Sequence, residues 1–93
     1  IGTVVGSSES EVKDRLARIR ARIAPVAGEA ATDAMLGSMS TPQAGSGTPE
    51  QLIESLTSLK SLGCEYVICY FPEAAYDRSG IELFETTVIP ALA

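Results

Sequence analysis

Hydrophobic residues recur along this chain with two different periods, and the change from one to the other marks its elements. After Thr48 the apolar positions Leu52, Leu56 and Leu59 fall at i, i+4 and i+7. Ile53 and Leu62 widen the stripe, and Glu50, Glu54, Ser58 and Ser61 lie mostly opposite it. The spacing predicts a helix with one buried face. Its start is well signposted: Thr48 as the cap, Pro49 pre-set at the first helical position, and Gln51 placed to reach back to the cap. Gly63 can take the left-handed conformation that closes such a helix. The period is then lost, because Tyr66-Val67-Ile68-Cys69-Tyr70-Phe71 is an unbroken run. A run without alternation predicts a strand buried on both faces, in a covered parallel sheet or in the wall of a packed barrel.

The front of the chain repeats the scheme. Ile1 to Val5, IGTVV, is a β-branched run ending at Gly6, and Ser8 with Glu11 forms a second capping-box pattern. Val12, Leu16, Ile19 and Ile23 trace the buried stripe of the helix that follows, which Pro25 is expected to stop. Residues 24–47 are mostly Ala, Gly, Ser, Thr and Pro, with room for at most one short helix around Glu29 to Leu36. Pro72 to Ser79 reads as an exposed loop. Ile81, Phe84, Val88 and Leu92 define a last amphipathic helix that Pro90 breaks or kinks.

The chain is therefore expected to be a single α/β segment: strand and helix over 1–25, a loop-rich stretch over 26–47, then helix, strand and helix over 48–93. Right-handed crossovers would join parallel strands. Two such strands cannot shelter each other's apolar faces, so a second copy or a missing N-terminal part is expected to complete the sheet. The opening at Ile1, within an apolar run, fits a piece of something longer.

Composition narrows the class. With 45% hydrophobic and 20% charged residues the chain is ordinary globular protein. A net charge of −5 argues against nucleic acid as a partner. No apolar stretch approaches the roughly 20 residues that span a bilayer, so a soluble, cytoplasmic protein is expected. There is no His, and the spacing of Cys64 and Cys69 matches no zinc pattern, so no metal is expected and the two cysteines read as buried, reduced thiols.

Five of the seven basic residues, Lys13, Arg15, Arg18, Arg20 and Arg22, lie on the first helix. Glu11 with Arg15 and Asp14 with Arg18 are i, i+4 pairs, which favours a solvated outer face over a binding patch. Gly45-Ser46-Gly47 fails as a dinucleotide fingerprint, since Glu50 stands where a third glycine is needed, and it is not a P-loop. Ser46, Gly47 and Thr48 are the candidate cofactor-binding residues, because backbone N–H groups at a helix start can hold a phosphate. The same residues are equally explained as a cap. Glu73, Tyr76, Asp77 and Arg78 could line a pocket mouth, with Arg78 the candidate for an anionic substrate and the one positive charge on that side. A plain polar loop accounts for them as well.

Gly47-Thr48-Pro49-Glu50, Gly63, and the tail residues Phe84, Val88 and Pro90-Ala91-Leu92 together resemble the C-terminal part of the luciferase-like monooxygenases. IGTVVGSSESEVKDRLARI is similar, less specifically, to an earlier strand and helix of that family. The resemblance implies a partial (β/α)8 barrel, a TIM-barrel segment, in an oxidoreductase that uses FMN or a deazaflavin coenzyme. It also implies that most cofactor contacts lie on earlier strands, so the isolated piece would be inactive and have no catalytic residues of its own. The stretch Ser40 to Ser46, STPQAGS, departs from the family, making the strand before the Thr48 helix short, distorted or absent. From other classes come a non-catalytic, self-associating short homologue and a small α/β binding module.

Overall fold

The computed structural model describes residues 1–92. It is a mixed α/β chain, mostly helical, around a small parallel sheet. Strand β1 (Val4–Val5) pairs in parallel with β2 (Ser46–Gly47), Val4 opposite Ser46 and Val5 opposite Gly47. Between them run helices α1 (Glu9–Ala27) and α2 (Glu29–Gly37), and α3 (Pro49–Ser61) follows β2. The chain ends in α4 (Ser79–Leu83), a π-helical turn (Phe84–Val88) and α5 (Ile89–Leu92).

β1 is the centre of the molecule. Val4 and Val5 are both fully buried, and because successive side chains on a strand point to opposite faces they enter different cores. Val4 packs with Ile19, Leu36 and Met39, with Leu16, Ile23 and Met35 at the margin, beneath α1 and α2. Val5 packs with Leu52 and Val88, flanked by Ile53, Leu56, Phe71, Leu83, Phe84 and Leu92, beneath α3 and the terminal helices. Helices therefore cover both faces of β1, as an apolar parallel strand requires.

Both edges of β1 are also occupied. The Val4 and Gly6 amides donate to Gly45 and Gly47 carbonyls on one side. On the other, the Thr3 amide donates to the Tyr70 carbonyl at 2.8 Å and the Tyr70 amide to the Ile1 carbonyl at 2.9 Å. The Tyr70 segment thus lies parallel to β1 on the edge away from β2. Gly45 makes the β1–β2 approach possible, since its φ is +125° and a Cβ there would stand 2.2 Å from the Gly2 carbonyl oxygen.

The Thr48 helix forms as its residues dictate. The Thr48 amide donates to Gln51 Oε1 and the Gln51 amide to Thr48 Oγ1, a reciprocal cap. At the far end Gly63, with φ +94°, lets the Gly63 amide reach Lys60 O and the Cys64 amide reach Leu59 O, the paired bonds of a Schellman motif. The short helix expected near Glu29 to Leu36 is α2, and the strand before Thr48, expected to be short, distorted or absent, is the two-residue β2.

Other expectations are corrected. Pro25 lies inside α1, which runs on to Ala27 because the Gly28 amide still bonds Ala24 O, so the one amide that proline lacks is lost without ending the helix. Ser8 caps the Glu11 amide, but the Glu11 carboxylate turns to the Ser7 amide and hydroxyl instead of closing the box. Leu62 is 84% exposed, carried past the buried stripe at the end of α3.

The largest correction concerns Tyr66 to Phe71. Tyr70 alone makes a strand bridge, and Tyr66 (80%) and Ile68 (65%) stand in solvent. The run has the composition of a buried strand, but only Phe71 reaches the core, and among the described residues no strand pairs with its outer edge. Cys64 and Cys69 are consequently half-buried, free thiols.

At the C-terminus helical structure continues through Pro90 to Leu92, but its regular winding is interrupted by the π turn Phe84–Val88 just before the proline. In that turn the Ile89 amide reaches Phe84 O five residues back, and Val88 and Leu92 stay on the core face. Among the described residues no helix is long and apolar enough to cross a membrane. Nor do any three His, Cys, Asp or Glu stand together as a metal site.

Candidate functional site

The densest chemistry in the molecule surrounds Arg15, on α1. Its position follows from helical spacing: Arg15 lies three residues after Val12 and four before Ile19, on the stripe that faces the sheet. It is 5% exposed, so it does not belong to the solvated face expected of it. Every nitrogen of its guanidinium is engaged. Nε and Nη2 donate to Glu11 Oε1 at 3.1 and 2.9 Å, and Nη2 also to Ser79 Oγ at 2.7 Å. Nη1 donates to both Glu73 oxygens at 3.2 Å and approaches Asp77 Oδ2 at 3.5 Å.

Glu73, 2% exposed, belongs to the stretch expected to be an exposed loop. A buried charge must be paired, and Arg15 is its partner. Asp77 Oδ1 accepts from the Ser79 amide at 2.9 Å and the Ser79 hydroxyl at 2.6 Å, which fixes the loop against the start of α4.

The electrostatics follow from these contacts. Burial pushes the Glu73 carboxyl above the usual glutamate range, against the pull of Arg15. The Ser79 bonds hold Asp77 below the ordinary aspartate value, and the Ser7 bonds, with Arg15, do the same for Glu11. Burial works against the Arg15 charge, but Glu11 and Glu73 outweigh it and its pKa moves up. With its donors committed, the cluster acts as a clamp tying α1 to the 72–79 segment.

Beside the clamp, Arg18, Ala21, Arg22, Tyr76 and Asp77 line an open hollow of about 450 Å³. The Arg22 guanidinium carbon sits 3.6 Å from the centre of the Tyr76 ring. Burial, and then the Glu73 charge, raise the Tyr76 phenol. Arg78 is exposed and, among the described residues, forms no ion pair. It is not the one cation on this side, because Arg15, Arg18 and Arg22 approach the same segment from α1. The signal for Arg15 was present in the sequence as a charge on an otherwise apolar stripe.

Ser46, Gly47 and Thr48 lie together where β2 enters α3. Part of the donor set a phosphate would use here is spent within the cap: the Thr48 and Gln51 amides on each other's side chains, and the Leu52 amide on Thr48 O at 3.0 Å, while Pro49 has no amide hydrogen. Gln51 Oε1 also fills the space above Gly47, 2.8 Å from where a Cβ would be. Ser46 Oγ is the one buried side-chain polar atom without a partner among the described residues. On these contacts Gln51 caps the turn and occupies the space a phosphate oxygen would enter.

An apolar hollow of about 550 Å³ lies between α3, Leu92 and the exposed run, lined by Leu56, Leu59, Tyr66 and Val67 among others. In comparisons with known proteins, no family model, no curated protein and no solved structure matches the chain.

Proposed function

We propose that this chain is the C-terminal segment of a luciferase-like, flavin- or deazaflavin-dependent oxidoreductase or monooxygenase, inactive by itself and completed by the rest of a larger α/β structure. The observation that carries the incompleteness is the Tyr66 to Ile68 run, exposed beside a hollow and, among the described residues, with its outer edge unpaired. Contiguous apolar surface of this kind belongs in an interface. The family assignment rests on the sequence resemblance, whose residues have structural work here. Thr48 and Pro49 open α3, Gly63 closes it, and Phe84, Val88 and Leu92 form the packed face of the terminal helix.

In the parent enzyme the coenzyme would carry out the redox step, and the protein would bind, orient and shield it. A (β/α)8 barrel sets its strands in chain order and its helices outside. Completion as a barrel would therefore move the Tyr70 segment to the free edge of β2 and free the inner face of β1.

A second reading, a small α/β binding module or non-catalytic homologue that self-associates, is favoured by one specific observation. β1 already has helices on both faces and partners on both edges. Titration with FMN and with the deazaflavin coenzyme, followed by fluorescence, separates the two. Under the first reading the chain alone shows no saturable binding, and an N-terminally extended protein binds. Tight binding by the chain alone, or none by the extended protein, contradicts it.

A further inference from the structure

The chain from Tyr66 to Tyr70 has one satisfied edge and one free edge. The Ile1 nitrogen donates to the Ile68 carbonyl, the Tyr70 amide to the Ile1 carbonyl and the Thr3 amide to the Tyr70 carbonyl. Ile68 and Tyr70 therefore turn their backbone groups toward β1, and by the alternation of extended chain Val67 and Cys69 turn theirs away from it. Among the described residues the Val67 and Cys69 amides and carbonyls have no partner. The same alternation sorts the side chains. Tyr66, Ile68 and Tyr70 share one face and are 80%, 65% and 57% exposed.

Two features decide what covers this edge. It is self-complementary, because Tyr66-Val67-Ile68-Cys69-Tyr70 reads nearly the same in both directions, with Ile68 at its centre. A patch that pairs with a second copy of itself must match itself after a half-turn, and this one does. It is also unguarded. Proteins keep open edges apart with charges, Lys above all, or with Pro, and neither occurs from Tyr66 to Phe71. In a chain of net charge −5 like charge opposes self-association, and along this edge two copies meet with no charge facing charge.

We propose that two copies of this chain pair antiparallel through these edges, about a two-fold axis at Ile68. Val67 of each copy then exchanges both backbone bonds with Cys69 of the other. Ile68 stands opposite Ile68 as a non-hydrogen-bonded pair, with Cβ atoms about 5 Å apart, and Tyr66 lies opposite Tyr70 on the same face. The two small sheets become one, and the association closes at two copies because the half-turn uses up both edges. This inference rests on the reading of the sheet as unfinished in one copy, and deepens it by naming the partner and the register.

The test is disulfide trapping in the full chain carrying Cys64→Ser and Cys69→Ser, with light scattering of wild type and of this background under reducing conditions. In the proposed register Ile68→Cys sets two thiols directly opposite, within the Cα spacing of a disulfide, whereas Tyr66→Cys sets them roughly 13 Å apart along the strand. Mild oxidation should therefore cross-link Ile68→Cys about tenfold faster or more than Tyr66→Cys. The double variant Tyr66→Cys/Tyr70→Cys, whose cysteines face each other across the axis, should match Ile68→Cys. The replaced Tyr and Ile side chains are exposed, so the cores are left intact. The reduced proteins should rise with concentration to about twice the 9.7 kDa of one chain and no further. Equal cross-linking at 66 and 68, as parallel pairing or random collision gives, overturns the proposal, and so does a dimer that Ile68→Cys fails to link; either result leaves the unfinished sheet standing. Growth past two copies overturns the closed pairing. A mass fixed at one chain overturns the pairing and the unfinished sheet together.

Discussion

Arg15 Nη1 stands 3.2 Å from both carboxylate oxygens of Glu73, across 58 residues of sequence, and both side chains are shut away from water. The two partners are not equivalent. Arg15 has Glu11, Asp77 and Ser79 as further partners, whereas Arg15 is the only side chain bonded to Glu73 among the described residues.

That asymmetry predicts unequal costs. Arg15→Met leaves a carboxylate buried without a counter-charge and is expected to cost about 3 kcal/mol. Glu73→Gln keeps an acceptor for Arg15 and removes an ion that burial disfavours, so it should cost less than about 1 kcal/mol at neutral pH. Adding Glu73→Leu to Arg15→Met should recover part of the loss. Urea denaturation of the four proteins measures all three values.

The pH dependence follows with its sign. The Glu73 pKa is raised on folding, so between the ordinary glutamate value and its folded value the native state holds more protons than the unfolded state. Stability therefore rises as pH falls through that window. Glu11 and Asp77 are shifted down, and their contribution, present above their unfolded values, is lost as pH falls further through their folded values. Wild-type stability should pass through a maximum on mild acidification and then decline. In Glu73→Gln the rise should vanish while the decline remains, which a series of denaturation curves against pH will show.

Gly63 and Gly37 make a matched pair. Neither would bring a Cβ within 4 Å of another group, but only Gly63 has a positive φ. Gly63→Ala should destabilise by about 1 kcal/mol through backbone strain alone. Gly37→Ala, at the end of α2, should be neutral or stabilising by about 0.5 kcal/mol. Thermal melts of the two variants decide it.

What the sequence made legible was local. Thr48, Pro49 and Gln51 sit within one turn of each other, as do the residues closing α3 at Gly63, and these ends form as their chemistry requires. The stripes Val12, Leu16, Ile19, Ile23 and Leu52, Leu56 likewise carry their period into the cores. What failed depended on distant parts of the chain. Glu73 is 58 residues from Arg15 in sequence, so spacing does not pair them, and Arg78 reads as the one positive charge on its side because the approach of α1 is not visible in the sequence. Tyr66 to Phe71 has the composition of a covered strand, but composition does not supply the cover. Ser46 to Thr48 form the turn into α3 that the sequence places there, while the Thr48 amide is taken by Gln51.

The exposed run is also where the central claim, that the sheet is unfinished in a single copy, meets its most direct test. Molar mass by light scattering, measured over a dilution series for wild type and Ile68→Lys, reads it. The expected result is a wild-type mass that rises above the 9.7 kDa of one chain with concentration, and a variant that stays at one chain with unchanged stability. A wild type fixed at 9.7 kDa throughout, with Tyr66 to Ile68 still open to solvent, would contradict it.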